Sequence, residues 1–409
     1  MLLFVESAPT GAGMSHVRWA VDHGFDAAYV SANPEWAPER LGGEVMETLE
    51  SRGRVFKVPS SEVTEVPAWL VSSIEQAAGP SGVVCGLDRS LPFAAALAEA
   101  VGAPYPSVPA MQTFRDKRAA RRLYDKLGIT SARWAAPADA DEFVAFTEEI
   151  GGPVVLKNCR GTGSMDVRLV ESSTEARERY LELSNAERYL DGDLMAEEYL
   201  TGPLYSLETI VSDGTCHHLG VTDRQIGPNP GFCEVSYTFP VQVPWQYENE
   251  MRRAVEACVQ AYGIRQGMLH TEFIVTSHGA AIVELNVRHP GGLLTMMMSD
   301  CLNSSVSEIL SLSALQMPLP DLSHNGKAST TVTVYPQVAG RLVQMRGLDE
   351  VGAAPFVVQA LPSAAPGDWV QPPTDYRGAL CQIRTVAESS NLSFNAAMAA
   401  ARGISAVVE

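Results

Sequence analysis

At 409 residues, 46% hydrophobic and 19% charged, the chain has ordinary globular composition and is long enough for two or three domains with a sizeable core. A net charge of −18 argues against a nucleic-acid partner, whose phosphates need clustered Lys and Arg that outweigh local acid, but leaves room for a small anion in one basic pocket. Seven scattered Cys without a C-x-x-C pair indicate neither a disulfide framework nor a structural zinc site, a reducing cytoplasm fits, and no window has the apolar length of a membrane span.

The chain opens on "MLLFV", a strand-length apolar run without a basic leader. Through the first hundred residues, short apolar runs such as "AAYVSA" and "GVVCGLD" alternate with helical patterns such as "GMSHVRWAVDHGF" and "PFAAALAEAVG". That alternation predicts a parallel sheet covered by helices. Gly11 and Gly13 in "APTGAGMS" read as a tight strand-to-helix turn or as part of a dinucleotide fingerprint. Ser15 and His16 then follow where the third Gly of G-x-G-x-x-G should soon come. The proline-punctuated "GAPYPSVPA" at 102–110 marks a domain boundary, and a charged helix, "FRDKRAARRLYDKLG", follows it. Strands with Gly-rich turns occupy 151–210, a long helix "YENEMRRAVEACVQAYG" precedes a hairpin, and after about residue 325 the composition shifts to Thr, Val, Pro and Ala. The expected domains are 1–108, 109–195, 196–325 and a smaller closing unit at 326–409.

Two stretches carry the chemistry of the hairpin. In "IVELNVRHPGG", Glu284, Asn286 and Arg288 alternate with apolar residues, so a strand sets them on one face. Upstream, "GMLHTEFIV" holds His270 and Glu272. A three-residue loop of Ser277, His278 and Gly279 would pair Thr276 with Ala280, setting Glu272 opposite Glu284 and His270 opposite Asn286. A loop of even length would put the two acids on opposite faces. Opposed carboxylates need a cation or a proton between them. A hard divalent ion, Mg2+ with Mn2+ as a substitute, is the simplest solution, with Asn286 adding an oxygen ligand. The alternative is a sheet face whose acids point into water. Arg288 suits a metal-bound phosphate during transfer or, failing that, an ion pair with Glu284. Gly291 and Gly292 offer backbone N–H groups to a carboxylate or phosphate.

A phosphate-binding site also needs lysines and a glycine loop. "GGPVVLKNCRGTGSMDVRLV" places Lys157 at a strand end, followed by a loop with Gly161, Gly163 and Ser164 and then another strand, unlike a Walker A. Lys117 taken alone is an ordinary helix lysine. "MAEEYLTGPLYSLETIV" carries Glu197, Glu198 and Leu200 between two strands, where backbone groups can meet an adenine edge and apolar groups cover the ring.

Together these pieces resemble the ATP-grasp superfamily of carboxylate-amine ligases, in order and spacing, from Phe114 to Gly292. The resemblance implies ATP and Mg2+ as cofactors. Lys117 and Lys157 would be nucleotide lysines, "RGTGSMD" the phosphate-covering loop, and Glu197, Glu198 and Leu200 the adenine segment. Glu272, Glu284 and Asn286 would be metal ligands, and Arg288 with Lys157 would compensate charge during transfer. It further implies an α/β fold in which an N-terminal Rossmann-like parallel-sheet domain precedes two α+β lobes and a small C-terminal subdomain. The segment "TDRQIGPNPGFCEVSYTFP" is similar to the substrate side of L-amino acid ligases. On that basis Glu234 would hold a substrate ammonium, Arg224 a carboxylate, and Gly291 with Gly292 the other carboxylate. Two positions depart from the family: Leu204 stands near where an acid commonly serves the ribose, and Tyr237 follows Glu234 where a His is common. The implied activity is formation of a dipeptide or γ-glutamyl-type amide from small-molecule amino acids, and a homodimer is suggested. The rival readings are a biotin-carboxylase-like enzyme using bicarbonate and a regulatory module that binds MgATP without turnover.

Overall fold

The computed structural model describes residues 1–6, 13–36, 43–77, 81–187, 192–227, 232–374 and 376–409. The first sheet is four-stranded and parallel, in the order Val55–Lys57, Ala27–Ser31, Leu2–Val5, Gly82–Cys85. Three of its strands are buried at every residue. Continuous apolar runs suit a parallel sheet with both faces covered, here by helices that include Gly13–Asp22 and Leu91–Ala100. Gly11 lies outside the described residues.

Two short helices lead out of this domain. Ser107 caps Val108–Arg115, and the side chain of Asp116 then accepts from the N–H groups of Arg118 and Ala119 to start Lys117–Leu127. Gly128 ends that helix in the left-handed conformation. The next unit is an antiparallel sheet in the order Trp134–Ala135, Leu194–Glu198, Val154–Asn158, Val167–Val170. It packs on helices Ala140–Ile150 and Ser173–Asn185 around its own core, with Phe143, Leu156 and Leu183 fully buried.

The largest sheet has eight strands, every neighbouring pair antiparallel. It runs Gly279–Asn286, Gln266–Thr276, Leu204–Ser212, Thr215–Ile226, Glu234–Val241, Ala328–Val334, Cys381–Ala387, Val357–Pro362. The C-terminal region therefore divides: three of its strands extend this sheet, while Trp369–Val370, Gly340–Arg346 and Ser405–Val408 form a small separate one. A single core runs from Leu3 and Val30 in the first domain through Phe114 and Tyr124 to Leu269 and Val287 under the large sheet. That shared core holds the first domain against one end of the hairpin, so its loops border the polar residues described next. No helix among the described residues is long and apolar enough to cross a membrane.

Candidate active site

The hairpin does not close with three loop residues. Thr276 pairs with Gly279, leaving Ser277 and His278 as a two-residue turn. Continued regularly, that register would set Glu272 against Val283 and turn Glu284 to the other face. Instead a bulge interrupts the ladder between Glu272 and Phe273, and beyond it Glu272 faces Glu284 and His270 faces Asn286. The even loop and the extra residue cancel, so the acids share a face for a reason different from the one expected. The bulged Val283 carbonyl accepts a 2.9 Å hydrogen bond from Arg121 Nη2.

Side-chain cations already meet both acids. Lys117 Nζ lies 3.1 Å from Glu284 Oε1 and donates to the Gly161 carbonyl at 2.7 Å, joining the second hairpin strand to the glycine loop. Arg224 Nη1 donates to Glu272 Oε1 at 2.8 Å, and its Nη2 is ion-paired with Glu234. Burial opposes ionisation of Glu272, but the Arg224 guanidinium outweighs it and holds the carboxyl well below the usual range. His270 Nδ1 lies 2.8 Å from the fully buried Glu208. Burial disfavours a charged imidazole, while Glu208 pulls the pKa up to about 9. Yet Arg224 Nη1 approaches Nε2 to 2.6 Å, which requires that nitrogen to accept. The geometry decides for the neutral tautomer with its proton on Nδ1. Arg224 and Glu234, the residues expected to meet a substrate's carboxylate and ammonium, are ion-paired with one another.

Among the described residues no group of three or more His, Cys, Asp or Glu could hold a metal unaided. Two opposed carboxylates with an amide on the same face fit Mg2+ nonetheless, because that ion takes one or two carboxylates and fills the rest of its octahedron with phosphate oxygens and water. Lys117 and Arg224 would give up their contacts with the acids as it enters.

In the smaller lobe Lys157 is buried and pairs with Glu197 at 2.6 Å. Burial lowers its pKa, and Glu197 opposes the shift. Glu197 also meets Arg121 Nη2 at 2.9 Å, so its carboxylate is turned onto two cations. Glu198 pairs with Arg133, and its N–H donates to the Arg133 carbonyl, while the Tyr199 N–H donates to Pro153. Any contribution of this segment to an adenine site would come from the backbone and from half-buried Leu200. The glycine loop is docked: Thr162 Oγ1 donates to Asp88 Oδ2 at 3.1 Å and Ser164 Oγ to the Phe232 carbonyl at 2.8 Å. Gly163 and Ser164 both take positive φ, 63° and 59°, which makes the sharp reversal there.

Arg288 pairs with Asp88 rather than Glu284. Its Nε and Nη2 donate to the two Asp88 oxygens at 2.6 and 2.9 Å, and Nη1 donates to the His289 carbonyl. Burial pushes the Asp88 carboxyl up, but Arg288 dominates and brings it down to about 2. Two of the five guanidinium N–H groups remain for a ligand. Sequence reading missed Asp88, although it follows Gly82–Cys85 at the carboxyl end of a parallel sheet, where such folds place ligand-binding groups. It also missed Arg115. This residue lines a small cavity together with Asp88, Lys117, Gly161, Glu284 and Asn286, and burial lowers its pKa against the pull of Asp88 and Glu284. At the other end, the Tyr237 hydroxyl accepts from the Leu293 N–H at 3.1 Å, and a Cβ on Gly292 would lie 2.9 Å from that oxygen. The phenol thus meets the N–H next in the chain to the two glycines, Gly291 and Gly292, expected to cradle a carboxylate.

Residues 150–297 match the ATP-grasp domain family. The chain thus carries an ATP-grasp domain. Residues 332–409 match L-amino acid ligase C-terminal domain 2. The chain is 25% identical over 297 residues to the uncharacterized protein y4rH of Sinorhizobium fredii, covering 70% of this chain and 59% of that protein. It is 23% identical over 254 residues to alanine–anticapsin ligase of Bacillus subtilis, covering 57% of this chain and 52% of the ligase. The matched region thus spans a little over half of these relatives. The fold of the L-amino acid ligase from Bacillus licheniformis superposes with a TM-score of 0.80 at 18% identity, over 100% of this chain and 98% of that one.

Proposed function

We propose that the protein is an ADP-forming ligase that activates an amino acid carboxylate as an acyl phosphate and joins it to the amine of a second amino acid. The observation that carries the reading is the opposed pair Glu272 and Glu284, with Lys117 bridging Glu284 to the docked glycine loop and Arg288 two residues beyond Asn286. The match of 332–409 to L-amino acid ligase C-terminal domain 2 and the similarity to alanine–anticapsin ligase support amino acids over bicarbonate as substrates.

A carboxylate is a poor acyl donor because its oxide leaves badly. Phosphorylation by ATP cures this: a carboxylate oxygen attacks the terminal phosphorus and ADP departs. The amine then attacks the acyl carbon and expels phosphate, losing a proton. Such transfers need alignment and charge compensation more than covalent help. Lys117 and Lys157 would bind phosphate oxygens, and the two unused N–H groups of Arg288 would face the group in flight. Loss of Arg288 would raise the barrier by about 3 kcal/mol, as for a lost oxyanion donor. Glu272, Glu284 and Asn286 would hold Mg2+ or Mn2+, which neutralises phosphate charge. The loop pinned by Thr162 and Ser164 would keep water from the acyl phosphate.

Mass spectrometry after incubation with MgATP and pooled amino acids tests the proposal. A product equal to two amino acids minus water, with matching ADP and phosphate, is expected. Phosphate release that depends on bicarbonate would replace it with the carboxylase reading, and ATP binding without any product would leave a binding module.

A further inference from the structure

Arg121 is a poor stabilising residue as it stands. Its side chain is 1% exposed, and Nε and Nη1 have no hydrogen-bond partner. Burying a guanidinium costs several kcal/mol, and apolar residues of similar volume often serve a core better. What Arg121 does is specific: one nitrogen, Nη2, meets both the Val283 carbonyl and Glu197, each at 2.9 Å. Val283 is the residue at which the hairpin changes register. The strand lies at the edge of its sheet, so a bulged carbonyl there has no ladder partner and needs another donor. Lys117, four residues earlier and on the same face of the helix, contacts Glu284. Successive turns of Lys117–Leu127 therefore grip successive residues of the second hairpin strand.

We propose that Arg121 is a positioning residue that holds the Val283 bulge and so keeps Glu284 in the register that faces Glu272. The inference rests on reading these two acids as a divalent-metal pair. The two-residue turn alone specifies a register that would put Glu284 on the wrong face. With the bulge carbonyl satisfied by Arg121, the shifted register costs no hydrogen bond. Glu197 keeps Lys157 as its other partner, so the lysine of the smaller lobe retains its counter-charge without Arg121.

Deletion of Val283 gives a direct test. In the shortened strand, the two-residue turn delivers Glu272 opposite Glu284 without a bulge, so Arg121 should become dispensable. Mn2+ binding in the presence of ADP is read by electron paramagnetic resonance, with circular dichroism and thermal unfolding monitoring the fold. Arg121→Met should weaken Mn2+ binding by about tenfold or more, the usual effect of losing a group that orients a ligand. ADP affinity measured in chelator should change much less. The Val283 deletion, alone or with Arg121→Met, should bind Mn2+ about as well as the wild type. Arg121→Lys retains a cation for Glu197 but lacks the reach to Val283; it should behave like Arg121→Met and serves if the latter does not fold. Normal Mn2+ binding by both Arg121 variants overturns the inference, as does failure of the deletion to restore it. Absence of Mn2+ binding by wild-type protein with ADP overturns the metal reading itself, a separate result.

Discussion

Replacing Asp88 by Asn tests how the first domain reaches the chemistry. Asp88 takes two charge-assisted hydrogen bonds from Arg288 at 2.6 and 2.9 Å, with side-chain exposures of 19% and 12%. Hydrogen bonds to charged groups contribute about 1.5–3 kcal/mol each. Asn keeps one acceptor but removes the counter-charge, so the loss should be about one such bond, 2–3 kcal/mol. If Arg288 then wanders from the group in transfer, that energy appears in the barrier, and each 1.36 kcal/mol is a factor of ten, giving a kcat lower by roughly 30- to 160-fold. The assay is ADP release at saturating ATP with the amino acid pair identified by mass spectrometry. ADP affinity, measured by calorimetry, should change by less than about threefold, because the nucleotide lysines are untouched. Unchanged kcat with lowered stability would refute the reasoning and leave Asp88 a strut between domains. A higher kcat would also refute it, showing that Asp88 restrains Arg288 rather than aims it.

Glu284→Gln removes one of the opposed acids and the partner of Lys117; Mn2+ affinity with ADP should fall at least about tenfold, and chelation of wild-type protein should stop phosphate release until Mg2+ is restored. Arg115→Met, at the cavity wall beside Asp88, should raise KM for the activated amino acid about tenfold with ADP affinity preserved, and an unchanged KM would remove Arg115 from the substrate side. Burial holds the His289 pKa down to about 4 from 6.5, so the unfolded chain takes up a proton as pH falls through 6.5 while the folded chain resists. The stability from keeping His289 neutral is present above pH 6.5 and lost between 6.5 and 4, by up to about 3 kcal/mol. Urea unfolding at several pH values should show that decline, with a flatter profile in His289→Gln.

Much of the site was legible because its signals are local. Alternation of polar and apolar residues placed Glu284, Asn286 and Arg288 on one face, and the glycine loop after a strand-end lysine needed only a few residues of context. The turn was the exception. Gly279 suggested a three-residue loop, yet the ladder closes at Gly279 itself, and only the compensating bulge keeps the acids opposed. Nothing in "AAIVELN" marks Val283 as bulged, since what supports it is Arg121, 162 residues earlier in the chain.

The sequence by itself determined the layer architecture, the identity of the charged groups and the segments that bring them together, because periodicity, glycine placement and strand patterning act within a few residues. Which cation meets which acid was decided by tertiary structure alone. Arg288 goes to Asp88, Lys157 and Arg121 share Glu197, and Arg224 lies between Glu234 and Glu272. The physical reason is that a buried charge must be neutralised by whatever opposite charge the fold carries within about 4 Å, and that distance is set by packing between elements far apart in the chain.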